Sequence, residues 1–191
     1  MYKWLGLIPL SLLVAALLVL THRQPVLDGD AIGDGPIDWS RGSFPVESFT
    51  RYTSPFGNRQ HPMGGWRFHA GLDIAAPRGS FILNWWDGTV SYVGSDEKCG
   101  VHVRVESGPW SAVYCHMDGE IVEEKEGGRV MVSDGLTVRQ GTQVKAGDRI
   151  GRIGMTGSTT GPHLHWGLRY DGDWVDPAFV IRAMAEAKNA T

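Results

Sequence analysis

The chain opens on an apolar run, Trp4 to Leu20, that carries no charge and is bracketed by Lys3 on one side and by His22 and Arg23 on the other. Crossing the hydrocarbon core takes about 20 apolar residues, with a lower limit of about 17. This run is just long enough, and Pro9 within it is tolerable in lipid. It ends Leu-Val-Leu-Thr, without the small residues that usually precede a cleavage site, and no lipobox cysteine follows. Residues 1–20 are expected to be a membrane-spanning anchor helix, with a removed signal segment as the alternative. Either way the remainder is expected outside the cytoplasm.

From Thr21 to Val46, Asp, Gly and Pro are scattered without a sustained apolar period, the pattern of a tether over residues 21–46. From Tyr52 the chain is punctuated by turn residues, Thr-Ser-Pro-Phe-Gly-Asn-Arg-Gln-His-Pro, where Pro fixes φ and Gly frees it. Ser80 to Ser95, with Asp87-Gly88 inside, reads as a strand, a tight turn and a second strand. Val101 to Val105 and Ser111 to His116 alternate well enough to form a hairpin around Ser107-Gly108-Pro109. The phrase Val-x-x-Gly at Val138 and again at Val144 suits the tightly turning strands of a small barrel-like sandwich. Asp176 to Lys188 carries an N-cap Asp, a Pro at the first helical position and good helix formers after it. The fold class is therefore mainly β: an antiparallel sheet, sandwich- or barrel-like, over residues 47–178, followed by a short C-terminal helix and tail over 179–191.

Composition adjusts this picture in four places. With 191 residues, 42% hydrophobic and 20% charged, the chain can bury one good core and shows no sign of a second. A formal charge of −3 and a pI near 6.1 argue against a polyanion-binding surface, so nucleic acid is excluded as an expected partner. Cys99 and Cys115 flank the expected hairpin. Outside the cytoplasm they are free to pair, but a one-residue change of register would put them on opposite faces, so the disulfide stays open at this point. Trp66, Trp85, Trp86, Trp110, Trp166 and Trp174 are numerous for one small domain; packing accounts for most of them, and a few exposed along a groove would suit a polymeric ligand.

The chemistry concentrates in Arg152 to Leu168, Arg-Ile-Gly-Met-Thr-Gly-Ser-Thr-Thr-Gly-Pro-His-Leu-His-Trp-Gly-Leu. On a strand, His163 and His165 project to one side. Upstream, Arg67-Phe-His-Ala-Gly-Leu-Asp-Ile-Ala-Ala-Pro supplies His69 and Asp73, and Val113-Tyr-Cys-His-Met supplies His116. A spacing of four puts His69 and Asp73 on one face of a strand, or of a helix; Gly71 and the following Ile-Ala-Ala-Pro favour extended chain. His61 precedes a proline in a loop and His102 sits in a strand without a partner, so neither is assigned a role. No His-Glu-x-x-His occurs, and a helix-borne zinc site is not indicated.

These motifs, in this order, resemble the lysostaphin-type (LytM-like, β-lytic) zinc metalloendopeptidases that cut the peptide part of bacterial peptidoglycan. The resemblance spans Thr53 to Pro177. It implies one zinc ion held by His69, Asp73 and His165, three ligands with an open position for a reacting water. Two neutral imidazoles and one carboxylate leave such a site one net positive charge. It further implies that His116 and His163 are not ligands but the catalytic acid-base pair, without saying which is which. The departure from the family lies between Asp118 and Gln140, a longer stretch than usual that includes Glu120, Glu123, Glu124 and Glu126. A solvated hairpin and a rim loop shaping substrate access both fit it.

The expected function is thus zinc-dependent endopeptidase action on peptidoglycan stems or cross-links, by a monomer anchored in a bacterial membrane with its catalytic domain facing the periplasm or the cell exterior. The alternative is a partner-binding regulator of a cell-wall hydrolase, using the same fold without catalysis. Retention of all three ligands and both further histidines separates the two.

Overall fold

The structure, a computed structural model, describes residues 37–60, 64–125 and 127–190. The apolar run 1–20, most of the tether, His61 and Glu126 lie outside them. Among the described residues no helix is long and apolar enough to cross a membrane.

Among the described residues a short 3-10 helix, Trp39–Arg41, and fifteen strands precede one α-helix. The strands are β1 (Arg51–Ser54), β2 (Gly57–Gln60), β3 (Trp66–His69), β4 (Leu72–Ala75), β5 (Phe81–Leu83), β6 (Gly88–Asp96), β7 (Gly100–Ser107), β8 (Trp110–Asp118), β9 (Glu120–Glu123), β10 (Arg129–Ser133), β11 (Leu136–Arg139), β12 (Gln143–Val144), β13 (Arg149–Ile153), β14 (His163–Tyr170) and β15 (Asp173–Val175), followed by α1 (Pro177–Asn189). The main sheet runs β1-β4-β14-β8-β7-β6-β12, antiparallel throughout, with β15 added to β14 and β13 bridging β5 and β8. The mainly β class with a C-terminal helix is as expected. The barrel is not: no sheet closes, because the path ends with β1 at one edge and β12 at the other.

A local substitution of partners shapes the middle of this sheet. β14 pairs with β8 from Tyr170↔Trp110 as far as His165↔Cys115, and beyond that point β13 takes its place against Met117 and Asp118. His116 sits at the changeover with φ 62, a left-handed conformation uncommon for a residue with a side chain. The β7–β8 hairpin forms as expected, turning at Gly108-Pro109 with Ser107 opposite Trp110. Its register resolves the cysteine question: Cys99 and Cys115 are disulfide-bonded, with Cα atoms 4.9 Å apart.

The expected strand-turn-strand around Asp87-Gly88 exists only in part. β5 and β6 are both strands, but β5 pairs with β13 and β6 with β7 and β12, so the turn joins neighbours that do not pair with one another. The Asp118–Gln140 stretch is more than a solvated hairpin. β9, β10 and β11 form a three-stranded meander whose Met131 and Val138 enter the core, with Ile121 and Leu136 packed at its margin. The end of the expected tether also packs down: Trp39, Phe44 and Val46 lie on the core, and Val46 bridges to Ile82. One apolar residue every few positions suffices there because each meets a preformed surface.

Alternation along β8 and β14 sends Trp110, Ala112 and Tyr114, and Leu164, Trp166 and Leu168, into the core. Trp85 packs edge-on against Trp110 and Trp166 with ring centroids 5.3 and 6.0 Å away. Burying such rings stabilises by roughly 3 kcal/mol each, and edge-to-face contact adds about 1 kcal/mol. Tyr114 carries a polar knot inside this layer, its hydroxyl donating to Asn84 Oδ1 at 3.1 Å and accepting from the Trp85 amide at 3.0 Å. The helix closes the other side. Asp176 caps it by accepting from the Ala178 amide at 2.9 Å, Pro177 opens it, and Val180 and Met184, one turn apart, face the core.

Candidate active site

Side chains of the remaining alternate positions of β14 leave the opposite face of the sheet, and there His163 and His165 stand together. β4 lies alongside in a register that puts Asp73 directly opposite His165 and Ala75 opposite His163. His69 arrives differently from the sequence expectation. It ends β3, which pairs with β2, and the chain turns at Ala70-Gly71 before β4 begins, so His69 and Asp73 share no strand face. The turn, rather than a common strand, folds one back onto the other.

The result is a tight convergence. His69 Nε2 lies 2.9 Å from His165 Nδ1 and 3.1 Å from Asp73 Oδ1, and His165 Nδ1 lies 2.9 Å from the same carboxylate oxygen. These three residues form a group that could hold a metal ion. His163 reaches the edge of it, Nε2 to Asp73 Oδ1 at 3.6 Å. His116 faces His163 from β8, ring centroids 4.7 Å apart, and stands 6.1 Å from the His165 ring.

Backbone carbonyls fix the tautomers. A carbonyl oxygen only accepts, so a ring nitrogen beside one must carry the proton. His69 Nδ1 donates to Pro55 O at 2.7 Å, which leaves its Nε2 lone pair for the convergence. His116 Nδ1 donates to Thr156 O at 2.9 Å and His163 Nδ1 to Gly161 O at 2.8 Å, so each also keeps an Nε2 lone pair. His165 is held from outside: a Cβ at position 71 would lie 2.7 Å from its Cε1 and 2.8 Å from its Nε2, so only glycine leaves the ring room to turn Nδ1 inward.

Electrostatics separate the groups. Burial works against ionisation of Asp73, but the close approach of the His165 and His69 ring nitrogens outweighs it and holds the carboxyl well below the usual carboxylate range. Asp73 is therefore a carboxylate. Burial lowers His116 to about 4, assisted by its histidine neighbours and opposed by the Thr156 carbonyl. Its imidazole is neutral at physiological pH and able to accept a proton.

All five residues singled out from the sequence come together; His102 does not. It is buried elsewhere, Nδ1 against Gly100 O at 2.8 Å and its ring stacked on Tyr92, a satisfied structural histidine. Thr156 was missed. Its hydroxyl accepts from the Val101 amide at 2.9 Å and donates to Met117 O at 2.8 Å, while its carbonyl orients His116. Pro55 and Gly161 act likewise through their carbonyls, which residue type does not encode.

A family model described as Peptidase family M23 matches residues 67–177. The chain is 33% identical over 162 residues to the DD-carboxypeptidase/endopeptidase Mpg of Neisseria meningitidis, covering 82% of this chain and 34% of that protein. It is 30% identical over 142 residues to the peptidoglycan DD-endopeptidase ShyC of Vibrio cholerae, covering 73% and 29%. The chain thus spans about a third of the length of the curated relatives it matches. Among solved structures, a zinc-containing peptidase from Vibrio cholerae superposes with a TM-score of 0.57 at 30% identity, over 70% of this chain and 37% of that one. Lysostaphin from Staphylococcus simulans, at 22% identity and a TM-score of 0.53 over 72% and 50%, shares the fold.

Proposed function

Since the chain belongs to peptidase family M23, its model matching residues 67–177, we propose that it is a zinc-dependent endopeptidase hydrolysing amide bonds in the peptide stems or cross-links of bacterial peptidoglycan. The observation that carries this reading is the convergence of His69 Nε2, Asp73 Oδ1 and His165 Nδ1 within 2.9 to 3.1 Å, with two further imidazoles at its rim. The donor set fits zinc: two nitrogen lone pairs and one carboxylate oxygen, with Pro55 O fixing the tautomer of His69. Held by these three, a zinc ion would supply an acidified water and polarise the scissile carbonyl.

The remaining chemistry belongs to His116 and His163. Each spends its Nδ1–H on a carbonyl and presents Nε2 as the reactive atom. A neutral imidazole there takes the proton of the attacking water, and once protonated it donates to the oxyanion or to the departing amine. Asp73 Oδ1 lies 3.6 Å from His163 Nε2, and burial keeps the His116 ring neutral.

The relatives named DD-endopeptidases support peptidoglycan as the substrate, and the apolar run at residues 1–20 supports a chain held at the membrane and working in the periplasm or outside the cell. A partner-binding role without catalysis would leave the two oriented Nε2 atoms unused. The test is digestion of defined muropeptides by the purified exported part with its zinc content measured, the products read by mass spectrometry. New peptide termini at one bond are expected. Full zinc with no cleavage of any wall peptide would favour the partner-binding role.

A further inference from the structure

The sheet face that bears the histidines continues past them. Along β14 the same side carries His165, Gly167 and Arg169, and along β8 it carries Val113 and Ser111, which pair with Gly167 and Arg169. A cleft of about 360 Å³ opens at that far end, lined by Val113 and Ser111 as floor, Arg104 and Glu106 from β7, Arg169, and Trp174 from β15. At about 3.3 Å per residue, Arg169 stands about 13 Å along the strand from His165. Gly167 separates the two: a Cβ there would meet the Ala70 carbonyl and Val113 at 2.9 Å and the Trp174 ring at 3.3 Å, so backbone and an aromatic edge define the narrow part between cleft and cluster.

The two arginines are held by aromatic rings. Arg169 lies over the Trp174 ring at 4.0 Å and Arg104 over the Tyr92 ring at 5.8 Å. Neither forms an ion pair among the described residues, whereas Arg41, Arg78, Arg129, Arg139 and Arg149 all do. Stacking orients a guanidinium through its face and leaves its N–H edges unspent, which is the geometry that grips a carboxylate. Glu106 limits the charge of the occupant. Its Oε1 already accepts from Ser111 Oγ at 2.9 Å and from Ser91 Oγ at 3.4 Å, and its negative charge leaves the cleft with one net positive charge, enough to balance one carboxylate and too little to balance a polyphosphate.

The geometry points to a carboxylate-recognising subsite for the peptide substrate, formed by Arg104 and Arg169 on the Val113–Ser111 floor and placed about 13 Å from the reacting centre. It rests on the peptidase reading and adds to it a chemical requirement: the substrate carries a free carboxylate several residues from the scissile bond.

The test uses the full zinc-loaded chain and two pairs of probes. One pair is a cross-linked stem-peptide dimer with its carboxylates free or converted to carboxamides, followed for turnover. The other is a monomeric stem tetrapeptide, free or amidated, followed for binding by tryptophan fluorescence and calorimetry. Amidation is expected to weaken tetrapeptide binding about 10- to 100-fold, as loss of a paired charge does. Arg104→Gln or Arg169→Gln is expected to weaken the free form about 10-fold, to raise KM for the free dimer with kcat held, and to leave the amidated probes unchanged. Both arginines are exposed, so folding is not at stake. Equal binding of free and amidated tetrapeptide, equal losses on both in the variants, or tighter binding of tripolyphosphate than of the peptide would each overturn the subsite. A wild-type chain that cuts no dimer yet discriminates the tetrapeptides would sink the peptidase reading and leave the subsite standing.

Discussion

His116 and His163 face each other across adjacent strands at 4.7 Å between ring centroids, each anchored by its Nδ1–H to a carbonyl from the glycine-rich stretch that connects β13 to β14. One segment, Gly154 to Gly161, thus sets both rings. The pair behaves as a unit whose geometry is decided by backbone.

If this pair moves protons, His116→Ala and His163→Ala should each retain zinc and fold while turnover falls by about 10²- to 10⁴-fold. Zinc must be measured on the same samples, because activity lost with the metal says nothing about proton transfer. Wild-type rates in both variants at full zinc would rule out the assignment.

Asp73→Ala should lose the metal. The carboxylate is the only anionic member of the convergence, and its ionised state is what the two ring nitrogens stabilise. Metal analysis after dialysis checks this; full occupancy would remove Asp73 from the ligand set.

Gly71→Ala should weaken zinc binding about 10- to 100-fold, in the range seen when the groups orienting a ligand are altered. The added methyl would press on His165 at 2.7 to 2.8 Å and on the Trp166 carbonyl at 2.6 Å, whereas a Cβ at Gly161 meets nothing within 4 Å. Gly161→Ala is therefore the control, and a competition titration with a chromogenic chelator should separate the two variants. Equal affinities would show that the ring has room to move.

The histidine at position 116 also predicts a pH dependence. Its folded-state pKa, about 4, lies below the ordinary value of 6.5. Between those limits the unfolded chain takes up a proton that the folded chain refuses. This residue's contribution to stability is therefore complete above 6.5 and declines as pH falls towards 4. NMR of the metal-free protein should show the His116 ring titrating near the lower limit. A midpoint at 6.5 would refute the burial argument.

Reducing the Cys99–Cys115 bond should cost both stability and rate. The sulfurs close a loop with a separation of 16 residues, and loops of about 15 residues are worth about 3 kcal/mol in the chain-entropy account. Cys115 adjoins His116, whose amide donates to the Cys99 carbonyl at 2.7 Å. Denaturant midpoints and turnover, with and without reductant at equal zinc, should fall together. A change in stability alone would mean that the hydrogen bonds suffice to hold the ring.

Much of this architecture was legible because the signals were local. Alternation marked the β7–β8 hairpin, Asp176-Pro177 marked the helix start, and the pair His163-x-His165 needed only strand geometry to share a face. What could not be read depended on partners distant in sequence. Whether β5 pairs with β6 or with β13 is not written in Asp87-Gly88, since a turn fixes direction but not the neighbour. Residues Trp39, Phe44 and Val46 read as tether because they lack a period, and they pack because the core already offers them a surface. The break between His69 and Asp73 was hidden by a spacing that also fits an unbroken strand. Thr156 escaped notice because what it offers His116 is a carbonyl, which every residue has.

The N-terminal end of the described chain also has a bearing on orientation. Trp39 sits against Trp86 and Trp110, and Lys188 of the helix donates to the Gly42 carbonyl, so this end is stitched to the face of the sheet that carries the tryptophans. His163 and His165 leave the sheet on the other face. Anything that holds the protein upstream of Ile37 grips it from behind, like a handle, with the histidines on the working side.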